Sequence, residues 1–283
     1  MNKWIPLSLT FSCLFLGLLC LPALQSYLFF RPPSLKKIEK KLEKKASGLF
    51  LQNKASIQSL PTASGCSITY RVISPSPSRE SKGVLLYCHG RSDTILLMKK
   101  RMERLCQLTG YTIFALDYPG YGLSRGHIYS EEDLVKSVET LLNHIVELGY
   151  PLNKTLLFGQ SLGSAPAIAL ALRYPNIEGV ILEGAFTQLS TTVKRWIGPL
   201  AYLFRFRFNN LEKISQLEVP ILLIHGTLDE IVPYQHALFL ANAAGKWATL
   251  IALEGGLHLK CKNKTQQTAF EEGIRDFVKG LNG

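Results

Sequence analysis

No two of the six cysteines in this chain are spaced for a metal ion or a redox dithiol. Cys13 and Cys20 lie in an apolar N-terminal run, and Cys66, Cys88, Cys106 and Cys261 are scattered without a C-x-x-C. A chain of 283 residues can build a core without disulfides, so the thiols read as free. The chain also lacks internal repeats and low-complexity tracts: its 14 Pro and 22 Gly are spread out as turn punctuation. Charge is sparse, at 19% of residues against 47% hydrophobic, which excludes a disordered chain and allows one large α/β domain or two small ones. Acidic residues are the scarcer sign, 21 against 32 basic, for a net charge of +11. Such an excess suits nucleic acid, an anionic membrane or an acidic substrate. With no zinc-finger spacing and no aromatic-basic RNA-binding motif, nucleic acid is not the expected partner.

The basic excess is local. Arg31, Lys36, Lys37, Lys40, Lys41, Lys44 and Lys45 are opposed only by Glu39 and Glu43 within residues 31–45. Directly before them, residues 4–30 carry no charged side chain. As a helix that run would reach roughly 40 Å, more than a hydrocarbon core of about 30 Å. It reads as an N-terminal membrane anchor in preference to a cleaved signal segment. The run is long for a signal, and Leu21 two residues before Ala23 spoils the small-residue cleavage pattern. The basic cluster beside it suits anionic lipid head groups, or else forms a solvated helix face with Glu–Lys pairs. The side of the membrane is left open: the positive-inside tendency favours the cytoplasmic side, export by an N-terminal signal the other. The expected organisation is an anchor over residues 1–30, a basic linker or helix over 31–60, and an α/β domain over 61–283.

Within that domain strand-like and helix-like patterns alternate. Strands are expected at 67–74, 83–89, 111–117, 155–158, 179–182, 221–224 and 249–253. Helices are expected at 94–108, 130–148 (capped by Ser130), 162–173, 233–244 and 265–279. Short, continuously apolar strands between helices indicate a mostly parallel sheet covered on both faces, with ligands at the C-terminal strand ends.

Every chemically suggestive residue falls at such an end. Gly159-Gln160-Ser161-Leu162-Gly163 matches G-x-S-x-G between a strand and a helix. The pattern sets Ser161 on a sharp turn where the two glycines avoid clashes. A serine hydroxyl needs a base to take its proton and an acid to orient that base, in the chain order Ser, Asp or Glu, His. Asp229, on the loop after strand 221–224, is the candidate acid; its neighbour Glu230 is the lesser one and is expected in solvent. His258, in the glycine loop after the last strand, is the candidate base. His144 and His236 fall in helical patterns, His225 belongs to the acid's loop, and Asp117 reads as a structural carboxylate supporting the turn that follows it. A tetrahedral intermediate needs two N–H donors. These are expected from the backbones of Leu162 and of Arg91, which follows His89-Gly90 after an early strand. The Arg91 side chain could attract an anionic group or point to solvent. Ala165, Ala167, Ala169 and Ala171 let the helix after Ser161 pack close to the sheet.

Cys88-His89-Gly90, the run Asp117-Tyr118-Pro119-Gly120-Tyr121-Gly122-Leu123-Ser124, the Ser161 pentapeptide and His225-Gly226-Thr227-Leu228-Asp229-Glu230-Ile231-Val232 occur in that order. Together, over roughly residues 65–280, they resemble the α/β-hydrolase-domain family that includes membrane-attached serine hydrolases and protein depalmitoylases; serine-aminopeptidase-like hydrolases share much of the pattern. The resemblance implies the α/β-hydrolase fold and a Ser161–Asp229–His258 triad. The chain departs from it at Arg91, where members often have Asn, at Leu257, where they often have Gly, and at Leu259, where they often have Asn or Asp.

Between residues 187 and 213 lies an aromatic and basic insertion with Trp196, Tyr202, Phe204, Arg205, Phe206, Arg207 and Phe208. It is expected as a small lid and acyl-binding surface, or alternatively as a helix buried on the domain. Anchor, basic patch and insertion together point to a hydrolase of an ester or thioester, acting on a lipid or other acylated small molecule. A peptidase or amidase with the same triad, or a non-catalytic binding protein, are the other readings. No metal or organic cofactor is implied.

Overall fold

The computed structural model describes residues 22–281, apart from residues 31, 63, 64, 79 and 204. Eight strands form one sheet: β1 (Gln58–Pro61), β2 (Ser67–Ile73), β3 (Val84–Cys88), β4 (Thr112–Asp117), β5 (Thr155–Gln160), β6 (Gly179–Glu183), β7 (Ile221–Gly226) and β8 (Ala248–Leu253). Their order is β1-β2-β4-β3-β5-β6-β7-β8. The six strands from β3 to β8 are parallel, and β1 and β2 add antiparallel to the β4 edge. This is the mostly parallel sheet expected from the alternation, and the α/β-hydrolase fold that the resemblance implies. Strands β3 to β7 are buried along their whole length, which is why they read as unbroken apolar runs. The edge strand β1 (Q-S-L-P) is largely exposed and ends on a proline, as an edge tolerates.

Among the described residues, ten α-helices surround the sheet: α1 (Pro22–Phe29), α2 (Leu35–Glu43), α3 (Leu49–Ala55), α4 (Lys99–Thr109), α5 (Glu131–Glu147), α6 (Ser164–Arg173), α7 (Leu189–Ile197), α8 (Asn210–Ile214), α9 (Gln235–Ala244) and α10 (Lys264–Leu281). The apolar sides of α5, α6 and α9 form one core, and those of α4 and α10 a second across the sheet. Helix α5 starts as expected at Ser130, whose hydroxyl accepts from the Asp133 N–H at 3.1 Å while the Asp133 carboxylate accepts from the Ser130 N–H at 2.9 Å.

The N-terminal part differs from expectation. Residues 32–60, expected as a basic linker or helix, hold α2 and α3 and pack on the domain. Ile38 and Leu42 of α2 pack with Leu96, and the fully buried Arg71 donates to the Asn53 carbonyl at 2.6 Å and to the Ser56 hydroxyl. Strand β1 already belongs to the sheet. The last nine residues of the expected membrane run, 22–30, dock on the domain as well. Gln25 donates to the Leu203 carbonyl at 2.6 Å and accepts from the Arg205 N–H at 2.8 Å. Ser26 donates to the Ile128 carbonyl, and the Phe30 ring meets Phe206 edge-on at 4.9 Å. Residues 1–21 of the expected anchor lie outside the described residues. Among the described residues no helix is long and apolar enough to cross a membrane.

Candidate active site

Strand β5 ends at Gln160, and Ser161 takes φ 49°, a left-handed conformation that costs a non-glycine residue about 1–3 kcal/mol. The flanking glycines permit it. A Cβ on Gly163 would stand 2.0 Å from the Cys88 carbonyl oxygen, and one on Gly159 would stand 2.6 Å from Ser164 Cα and 2.9 Å from Ala167 Cβ. The turn between β5 and α6 is therefore packed backbone to backbone against β3.

The three expected residues meet at the C-terminal ends of β5, β7 and β8. His258 Nε2 lies 3.1 Å from Ser161 Oγ, and His258 Nδ1 lies 2.6 Å from Asp229 Oδ2. The network assigns the tautomer: Nδ1–H donates to the carboxylate, and Nε2 accepts the serine proton. Asp229 is buried. Its Oδ1 accepts the N–H groups of Ile231 at 2.9 Å and Val232 at 2.8 Å, and its Oδ2 also faces His225 Nε2 at 3.2 Å. Burial pushes this carboxyl up, but hydrogen bonds from His225 and His258, the His258 charge and the Val232 N–H outweigh it and hold the group well below the usual carboxylate range. His225 Nε2 is also 2.8 Å from the Val232 carbonyl, so it braces the acid's loop. Glu230 is exposed, as expected. Gly184, after β6, takes φ 59°, and a Cβ there would meet the His258 ring at 3.1 Å. That glycine makes room for the imidazole, and no motif marks it.

Leu162 and Arg91, the expected N–H donors, line the same cavity as Ser161. The loop carrying Arg91 is held from behind. Tyr118 donates to the His89 carbonyl at 2.8 Å, and the His89 ring sits between the Gly90 carbonyl at 2.8 Å and Asp117 Oδ1 at 3.2 Å. Asp117 is structural, but its carboxylate serves a different turn from the one expected. It accepts from the Thr94 hydroxyl and the Ile95 N–H, both at 2.9 Å. The turn after Asp117 passes so close that a Cβ on Gly122 would lie 1.9 Å from Oδ2. The Arg91 side chain, left open by the sequence, donates to the Phe29 carbonyl at 3.2 Å.

The cavity over Ser161 measures about 350 Å³. Its walls are mostly apolar: Phe29 from α1, Leu162, Phe186, Leu189 and Val193 from the insertion, and Ile231 and Val232 from the acid's loop, with Thr192 and Arg91 as polar members. Among these described lining residues none is acidic. The insertion thus combines both expected forms. Helix α7 covers the site, whereas Phe206 and Phe208 are buried in the core and do not form a surface. Phe204 lies outside the described residues. His236, read only as part of a helix, lies at the insertion's root: its Nδ1 accepts from the Thr187 N–H at 3.2 Å and lies 2.8 Å from the Thr187 hydroxyl. His144 is structural and contacts the Tyr70 hydroxyl at 3.1 Å.

Comparison with known proteins agrees with this architecture. The sequence profile of the family described as serine aminopeptidase, S33 matches residues 79–213. Alpha/beta hydrolase domain-containing protein 17B of Homo sapiens is 31% identical over 198 residues, covering 70% of this chain and 67% of the human one. Among solved structures, an esterase of Pyrococcus furiosus superposes with a TM-score of 0.66 at 17% identity, over 80% of this chain and 91% of its own. A monoacylglycerol lipase of Paleococcus ferrophilus gives 0.59 at 21% identity, over 76% and 99%. With the sheet order, the strand-end site and a relative of this similarity in agreement, the chain belongs to the α/β-hydrolase-domain family.

Proposed function

We propose that the protein is a serine hydrolase that cleaves an ester or thioester of an acyl group. The observation that carries this reading is the continuous hydrogen-bonded array from Ser161 Oγ through His258 to Asp229, at 3.1 and 2.6 Å. In the proposed reaction Ser161 Oγ attacks the acyl carbonyl while His258 Nε2 takes its proton. The N–H groups of Leu162 and Arg91 hold the oxyanion, each contributing on the order of 3 kcal/mol to lowering the barrier. His258 returns the proton to the leaving alcohol or thiol, and a water activated by the same nitrogen then hydrolyses the acyl-enzyme. A peptidase reading shares the array and has the description of the matching family in its favour. The lining disfavours an aminopeptidase: a free ammonium needs a carboxylate, and the only charged group among the described lining residues is Arg91.

The proposed place of work is an anionic membrane surface. Helix α2 buries Ile38 and Leu42 and exposes Lys36, Lys37, Lys40 and Lys41. Lys37 and Lys41 share a groove with Ser92, next to Arg91. Residues 4–21 carry no charge and precede this helix.

Fluorophosphonate labelling of wild type and Ser161→Ala tests the chemistry. Wild type should label and the variant should not, and ester, thioester and aminoacyl panels then rank the substrates. A folded wild type that stays unlabelled with and without detergent would count against the hydrolase reading.

A further inference from the structure

The C-terminal end of α1 occupies a position that the hydrolytic chemistry does not require. Phe29 lines the cavity over Ser161. Its ring is half-buried and stands edge-on to Phe30 at 5.0 Å, and Phe30 is buried against Phe206. Its carbonyl accepts from Arg91 Nη1, and the Arg91 guanidinium lies 5.6 Å from its ring centroid. The same short segment is tied to the insertion through both polar atoms of the Gln25 amide and to the Ile128 carbonyl through Ser26. The attachments reach three separate parts of the domain, and each satisfies a polar group or buries an aromatic ring. A passive tether needs none of them. Their combined effect is to hold the Phe29 ring in the wall of a mostly apolar cavity, which it lines together with Phe186 and with Leu189 and Val193 of α7.

We infer that Phe29 is a specificity-determining residue: its ring is the wall against which the chain of a linear acyl ester or thioester packs, so the N-terminal helix is part of the substrate pocket. This inference rests on the hydrolase reading above. An acetyl group is too short to use such a wall, whereas a long chain gains or loses an apolar contact of the kind that discriminates substrates by about tenfold or more. The effect of altering Phe29 therefore depends on chain length. A residue that merely holds the fold would change all substrates together.

The test uses the full chain as wild type, Phe29→Ala and Phe29→Leu, with kcat/KM measured on p-nitrophenyl acetate, octanoate and laurate and Tm measured alongside. Phe29→Ala should lose about tenfold on laurate relative to its own rate on acetate. Phe29→Leu retains most of the apolar volume and should show the same trend at about threefold. Should Phe29→Ala fail to fold, Phe29→Leu decides alone. An equal fall on all three esters, or an unchanged chain-length profile at wild-type Tm, overturns the inference while leaving the hydrolase reading intact. A wild type that neither hydrolyses any ester nor takes a fluorophosphonate overturns the hydrolase reading and this inference with it.

Discussion

Replacing Asp229 with Asn changes little in shape and should nearly abolish activity. Oδ1 accepts two backbone N–H groups, from Ile231 and Val232, so the oxygen of an asparagine must stay at that position. The amide nitrogen then falls where Oδ2 was, 2.6 Å from His258 Nδ1, and presents a proton there. His258 answers by accepting at Nδ1 and carrying its own proton at Nε2, which points at Ser161 Oγ across 3.1 Å. In that tautomer the ring cannot take the serine proton. The cost expected for a wrong tautomer at such a site is about 10⁴-fold in kcat, or roughly 5.5 kcal/mol of barrier. Turnover of an activated ester and the rate of fluorophosphonate labelling both report it, with circular dichroism and Tm to establish the fold. Stability should change with a definite sign. The folded Asp229 carboxyl lies below its unfolded value, so it stabilises the fold above about pH 4, and that contribution fades as pH falls toward the folded value. The Tm gap between wild type and variant should be widest near neutrality and narrow in acid. A folded Asp229→Asn protein with kcat within tenfold of wild type would refute the tautomer argument.

Three other outcomes are expected. Gly163→Ala drives a methyl to 2.0 Å from the Cys88 carbonyl oxygen, where neither backbone can yield. The loss should be on the order of 3 kcal/mol and about 10 °C in Tm, read by thermal melting. Leu259 holds φ 55° directly after His258, a conformation that costs Leu more than Asn. Leu259→Asn should therefore raise stability by about 1 kcal/mol in a denaturant titration. Burial and the nearby His225 hold His236 below the ordinary histidine range. The unfolded chain thus binds that proton first, so stability should be level above about pH 6.5 and decline below it. His236→Asn should flatten that slope in melts between pH 7.5 and 5, and an unchanged slope would assign it to another group.

The core of the candidate site was legible in the sequence because an alternating α/β chain sends all its parallel strands to the same edge. Ser161 after β5, Asp229 after β7 and His258 after β8 needed only chain order and strand ends to be brought together. The buried strands were legible for a similar reason: a strand covered on both faces is apolar throughout. Strand β1 was missed because an exposed edge leaves no such signature in Q-S-L-P. Helix α1 read as the end of a membrane run because hydropathy does not distinguish lipid from a protein surface as the apolar neighbour. Only the fold decided that Gln25 answers Leu203, 178 residues away, that the Arg91 side chain meets Phe29, 62 residues away, and that His236 anchors Thr187, 49 residues away. From the sequence, Phe206 and Phe208 could belong to a lid surface or to a buried helix; their burial, with Phe30 packed on Phe206, decides for the interior. Periodicity and motif spacing are local and follow from covalent geometry. Whether a given side chain meets water, lipid or another side chain depends on where a distant part of the chain returns, and that is settled only when the whole chain has folded.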